Sequence, residues 1–117
     1  MEKVQGQVLS KAQSSLKAFA IYFESGEALL LSGVKGEEGP DIEAFIKPSS
    51  EVPEQSEAVC SVDWSWIYGK TVEKCQRIND AGGVRYRLIL KGGPTITISV
   101  GLWQGDTFLS FMPYKPN

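Results

Sequence analysis

Between Val84 and Val100 apolar side chains fall on every second residue, and that rhythm restricts the chain more than any other feature. Val84, Tyr86, Leu88 and Leu90 alternate with Arg85, Arg87, Ile89 and Lys91. After Gly92-Gly93-Pro94, Ile96, Ile98 and Val100 alternate with Thr95, Thr97 and Ser99. Successive side chains of a strand point to opposite faces, so a period of two gives each run one apolar face. The Gly-Gly pair between the runs supplies the positive φ of a tight turn, which predicts a β-hairpin.

Further segments follow the same logic. Phe19–Phe23 and Ala28–Leu31 flank Glu24-Ser25-Gly26-Glu27 and read as a second hairpin. Thr107–Met112 ends at Pro113, and Asp41–Ile46 is closed by Pro48; proline cannot donate to a ladder, so both runs read as strands with a defined stop. Residues 4–16 are open to two readings, because Val4, Val8, Ala12 and Leu16 recur at helical spacing while Gly6 weakens a helix. Residues 61–68 are open as well. Cys60, Val62, Trp64 and Trp66 alternate as in a strand, yet Asp63 could cap a single turn ended by Gly69.

The order of these features recurs. Gly6, the Ser25-Gly26 turn, Leu29–Leu31 and Asp41–Pro48 have counterparts in Gly69, the Gly92-Gly93 turn, Ile96–Ile98 and Asp106–Pro113, at offsets of 63, 67, 67 and 65 residues. A duplicated four-strand unit would produce this and would make both Gly6–Gln13 and Gly69–Asp80 first strands. The fold expected is therefore all-β and mainly antiparallel, with about eight strands in a small barrel or compact sandwich and at most one or two short helices. Residues 1–117 are expected to form one domain, with similar parts 1–48 and 58–117 joined by the polar connection 49–57.

Chemistry is constrained mainly by what is missing. The chain has no His, which removes the commonest general base, the Ser-His and Cys-His pairings and the commonest metal ligand. Cys60 and Cys75 are too far apart for a CxxC site. Loops for calcium, phosphate or dinucleotides and the Gly-x-Ser-x-Gly elbow are absent from the sequence. No catalytic residue, metal or cofactor is expected. With no apolar leader at Met1–Gln7 and no apolar run long enough to span a bilayer, the chain is expected in the cytoplasm and off the membrane.

Charge is polarised. Residues 1–63 hold 11 acids and 5 bases, whereas residues 64–117 hold 3 acids and 7 bases, within a net charge of −2. Nucleic acid is an unfavoured partner, because phosphate binding needs clustered Lys and Arg. Three sets of residues remain as candidate contacts with another protein or a small ligand. Trp103, Gln104 and Asp106 sit in a glycine-flanked hairpin connection, where an aromatic can anchor an interface or fold back to plug the core. Arg85 and Arg87 share a strand face with Lys91, near Lys74 and Arg77 on the neighbouring strand, and this suits an acidic partner or a plain solvated face. Asp63 and Trp66 form an aromatic platform with a carboxylate, or else a capped turn over the core.

The reading that follows is a non-catalytic binding or protein-interaction module, with an immunity- or antitoxin-like neutralising partner and a small carboxylate-dependent enzyme as alternatives. A homodimer through an edge strand is one way to hide exposed sheet edges.

Overall fold

A computed structural model describes residues 2–53 and 62–115. Cys60 and residues 54–57 of the polar connection lie outside the described residues. The first sheet is a meander of β1 (Leu9–Ser14), β2 (Ala18–Phe23), β3 (Glu27–Gly36) and β4 (Gly39–Pro48). The second repeats it with β5 (Val72–Asp80), β6 (Gly83–Leu90), β7 (Thr95–Trp103) and β8 (Asp106–Met112). All pairings within the sheets are antiparallel. Single 3₁₀ turns at Glu2–Val4, Ser49–Glu51 and Ser65–Ile67 are the helical segments among the described residues.

Alternation decides which faces meet. Phe19, Ile21, Leu29, Leu31 and Ile42 of the first sheet and Leu88, Ile96, Ile98 and Leu109 of the second are buried in one cluster, with Val4, Trp64 and Ile67 closing it. Strand β4 lies against β6 and β7, and β3 against β8, so the core sits between the sheets. Residues 4–16, open to a helix from spacing alone, run from the end of a 3₁₀ turn at Val4 into β1, where Leu9, Ala12 and Ser14 are buried and a register irregularity after Leu9 interrupts the period of two. Around residue 64 the turn prevails over the strand: an Asp63 carboxylate oxygen accepts the Ser65 N–H at 3.0 Å, and Ile67 N–H donates to Trp64 O at 2.9 Å.

The halves join at a seam of short reciprocal hydrogen bonds. Gly6 N–H donates to Val72 O at 2.8 Å and Gly69 N–H to Leu9 O at 2.7 Å; Leu9 N–H donates to Lys70 O and Val72 N–H to Gln7 O, both at 2.9 Å. Adding 63 to one member of each pair and subtracting it from the other exchanges these bonds, which is the relation an approximate two-fold axis imposes. Gly6 and Gly69 have φ of 85° and 83°, a left-handed conformation that a side chain disfavours, so glycine at both ends of the seam has a physical cause. The register irregularity between Leu9 and Lys11 in β1 recurs between Val72 and Lys74 in β5.

The outer faces differ. On the first sheet Val52 is buried against Ala20 and Ala28, and the Tyr22 hydroxyl reaches the carbonyls of Val52 and Pro53, so residues 49–53 fold back over it. Lys74, Gln76, Arg87, Thr97 and Ser99 share the outer face of the second sheet, where register sets Gln76 beside Arg87 and Arg87 beside Thr97. Both open edges are occupied at matched positions. Ile42 N–H donates to the Asp41 carboxylate at 2.7 Å and Ile42 O accepts from Arg77 at 3.1 Å, while Leu109 N–H donates to Leu16 O at 2.6 Å. Occupied backbone groups blunt an edge against pairing with another chain.

Candidate functional site

The β7–β8 connection is a two-residue turn between Trp103 and Asp106, which pair directly. Gln104 and Gly105 both have positive φ, 51° and 84°, the arrangement of the mirror-image turn that matches strand twist. Gln104 is the one non-glycine residue of positive φ among those described, so the tip holds a fixed shape at some conformational cost. Trp103 stands on this support 70% exposed, with Leu102 at 51%. The tryptophan has not folded back into the core.

Beside it lies an open groove of about 580 Å³ lined by Leu16, Lys17, Trp103, Gln104, Asp106, Thr107 and Phe108. The far wall comes from the β1–β2 connection. That loop is tied to β8 by the Leu109 N–H to Leu16 O bond and to β3 by a 2.8 Å bond from Gly33 N–H to Lys17 O. Phe108 forms the floor by lying across Gly101, where a Cβ would come within 2.8 Å of the ring's Cζ. At the rim Lys17 Nζ and Asp106 Oδ1 are 3.8 Å apart, with side chains 61% and 74% exposed.

The approximate symmetry generates a second groove, of about 590 Å³, between the β3–β4 tip and the β5–β6 connection. Glu37, Glu38, Asp41, Arg77, Asn79 and Asp80 are among its lining residues. Gly36 takes the place of Trp103 and Asp41 that of Phe108, while the loop that carries Leu16 and Lys17 is replaced by a longer hairpin in which Asn79 and Asp80 are paired strand residues. Here Arg77 reaches across: it donates to an Asp41 carboxylate oxygen at 2.9 Å and to Ile42 O, with its guanidinium 6.0 Å from the Tyr86 ring. Burial pushes the Asp41 pKa up, but the Arg77 hydrogen bond, the Ile42 N–H and the Arg77 charge outweigh it and hold the carboxyl below its ordinary value. The position matching Arg77 in the other half is Ser14, whose Oγ accepts the Trp64 Nε1–H at 2.9 Å. One groove is spanned by the chain's own arginine, and the other is left open with apolar walls.

The remaining candidates lie elsewhere. Arg85 makes two hydrogen bonds to Asp80, at 3.0 and 3.2 Å, which lower the aspartate's pKa. Arg87 is exposed on the same outer face. Arg77 does not extend this basic patch: the register irregularity after Val72 reverses the alternation of β5, so Arg77 pairs with inward-facing Tyr86 and lies on the opposite side of the sheet. Trp66 is partly buried and stacks on Trp64 with centroids 6.1 Å apart, its Nε1–H without a partner among the described residues. Asp63 precedes the Trp64 cap position and accepts the Ser65 N–H, and its Ser65 hydrogen bonds, side chain then backbone, lower its pKa, the reverse of what a general acid requires. The structure thus joins Trp103, Gln104 and Asp106, leaves Arg85 and Arg87 on a sheet face, and separates Asp63 and Trp66 from both.

Local sequence pointed to the turn but not to Leu16, Lys17, Thr107 or Phe108, which complete the groove. Among the described residues, no helix is long and apolar enough to cross a membrane. Fold and site together define a two-sheet antiparallel β-protein with a tryptophan-bearing turn beside an apolar groove. Compared with protein-family models, curated proteins and solved structures, the chain matches none of them.

Proposed function

We propose that this chain is a non-catalytic interaction module that docks a protein partner on the β7–β8 tip, with Trp103 as the anchoring side chain. The observation that carries the reading is a tryptophan 70% exposed on a turn whose central residues both hold positive φ. Tryptophan is among the residues that most often dominate interface energies, and a pre-shaped turn reduces the entropy lost on docking. The internal comparison supports it, since the matched groove is crossed by Arg77 with hydrogen bonds to Asp41 and Ile42, while this one has apolar walls and only the exposed Lys17–Asp106 pair at its rim. A cytoplasmic site of action belongs to the same proposal, and the buried free thiol of Cys75 suits a reducing compartment.

The test is capture from a lysate of the source cell on immobilised protein, with bound proteins identified by mass spectrometry. Trp103→Ala should abolish specific capture while changing stability by no more than about 0.5 kcal/mol, as for a surface substitution. Arg87→Ala should retain capture. Undiminished capture by Trp103→Ala, or loss with Arg87→Ala alone, refutes this placement of the site.

A further inference from the structure

Strand β4 is an edge of the first sheet, and the order of its exposed side chains points to what fits beside it. Its ladder with β3 runs in unbroken register from Gly39 to Pro48. Along an antiparallel strand the backbone groups point alternately toward and away from the paired neighbour. Those of Ile42 point away from β3, since they bond to Asp41 and Arg77, and those of Ala44 and Ile46 therefore do the same. The side-chain caps close the edge only at Ile42. Among the described residues, no backbone bond engages Ala44 or Ile46 from the open side. Pro48, next in the series, has no N–H to offer. The open stretch is residues 43–47, bounded at both ends.

Glu43, Phe45 and Lys47 stand on the outer face of this stretch, and all three are exposed, Phe45 at 42%. Neither charge has an ion-pair partner among the described residues; Lys47 Nζ lies 5.3 Å from the Phe45 ring. The order acid, aromatic, base is its own complement when reversed. A second β4 laid antiparallel along the edge, with the two-fold axis at Phe45, sets Glu43 of each copy opposite Lys47 of the other, about 5 Å apart at Cβ. The same register puts Ala44 opposite Ile46, so their outward N–H and C=O groups can exchange hydrogen bonds. It also brings the capped Ile42 against Pro48, where the ladder stops. Strand β8 lacks this order: Ser110 and Met112 hold the places of Glu43 and Phe45, and the strand ends before a counterpart of Lys47.

We propose that the β4 edge is the contact of a homodimer, in which residues 43–47 of two copies pair antiparallel about an axis at Phe45 and join the two first sheets into one. A contact this small belongs with weak, concentration-dependent associations. The surface is separate from the β7–β8 tip, and neither assignment depends on the other.

Sedimentation equilibrium on the full chain, from micromolar to millimolar concentration, tests it: the mass should rise from 12.8 kDa toward twice that value. Amide exchange followed by NMR should show the Ala44 and Ile46 N–H groups protected in concentrated solution and exchanging in dilute solution. Lys47→Glu sets like charges against each other at both ends of the ladder and should weaken association about tenfold or more. Glu43→Lys/Lys47→Glu restores the opposition of charge and should return association to the original level. Both positions are exposed, so folding is not at stake. Trp103→Ala should leave the mass curve unchanged. A single-chain mass at every concentration overturns the proposal, as does a dimer whose Ala44 and Ile46 amides exchange as fast as in the dilute chain, a dimer lost with Trp103→Ala, or a charge exchange that fails to rescue. If the chain is monomeric and Trp103→Ala still abolishes capture of a different protein, the dimer fails and the docking site stands.

Discussion

Ser14→Ala removes one buried hydrogen bond and almost nothing else. Both partners are buried, and the Trp64 Nε1–H donates to Ser14 Oγ at 2.9 Å. The indole cannot swing toward water, because Phe19 and Phe111 flank it with centroid distances of 5.0 and 5.6 Å. Deleting the hydroxyl strands a desolvated donor, which costs about 1–3 kcal/mol. The lost volume is a single oxygen atom, so a cavity contribution is small beside this. For a domain near this size each kcal/mol shifts the midpoint by about 4 °C or more, so Tm should fall by about 4–12 °C. Urea denaturation followed by circular dichroism, with a parallel thermal scan, measures both quantities. Trp64→Phe and the double variant complete a cycle whose coupling should be about 1 kcal/mol. A Ser14→Ala cost within about 0.5 kcal/mol of zero, the range of ordinary surface changes, would refute the assignment of this bond as a structural tie.

Burial pushes the Cys75 thiol pKa up to about 11, so in a Cys60→Ser variant it should resist a thiol reagent near pH 8 in the folded protein and react promptly in urea; fast labelling of that folded variant would contradict its packing. Asp41 has a folded pKa below its unfolded value, so its contribution to stability is present above the unfolded value and is lost as pH falls through the folded one. Asp41→Asn should therefore flatten the acid limb of the stability profile, and an unchanged limb would count against the Arg77 contact. Gly101→Ala would put a methyl group into the Phe108 ring, displacing the groove floor; it should reduce capture by the Trp103 tip more than it reduces Tm, as binding and melting measured side by side will show.

The strands were legible because the cause of their burial is local: Leu88, Leu90, Ile96 and Ile98 carry the alternation themselves, and all four are buried. The paired glycines at positions 6 and 69 were legible for a similar reason, since a left-handed turn leaves its mark on one residue. Trp64 and Trp66 left strand and turn both open because alternation persists across a segment whose backbone has turned; Trp64 is buried by the 3₁₀ turn, and Trp66 is partly buried by stacking on it. Sequence places Arg77 on the strand beside Arg85 and Arg87 but not its face, because the irregularity between Val72 and Lys74 shifts the count by one and brings Cys75 and Arg77 to the inner side. Half of the groove was legible, as Trp103-Gln104-Gly105-Asp106 is a contiguous turn. Leu16 and Lys17 were not, because their place is set by bonds to Leu109 and Gly33, far away in sequence.

The internal symmetry supplies a control that a lone pocket lacks. Two grooves of nearly equal volume lie at matched ends of the two sheets, and they differ in side chains and in one connection, residues 78–85 beyond Arg77 and Tyr86 against residues 15–18 beyond Ser14 and Phe19. Where Arg77 meets Asp41 the edge strand is secured by side chains, and the hairpin Asp80–Gly83 continues the β5–β6 ladder outward. Where Ser14 and Phe108 stand instead, the edge is secured by the backbone of Leu16, and the side chains of Leu16, Phe108 and Trp103 are left to line an open surface. An apolar lining lowers solubility and gives the isolated chain little stability in return, since Trp103 remains 70% exposed. Its contribution to free energy would come only when another surface covers it, and that asymmetry between matched sites is the physical reason for proposing docking at the β7–β8 tip.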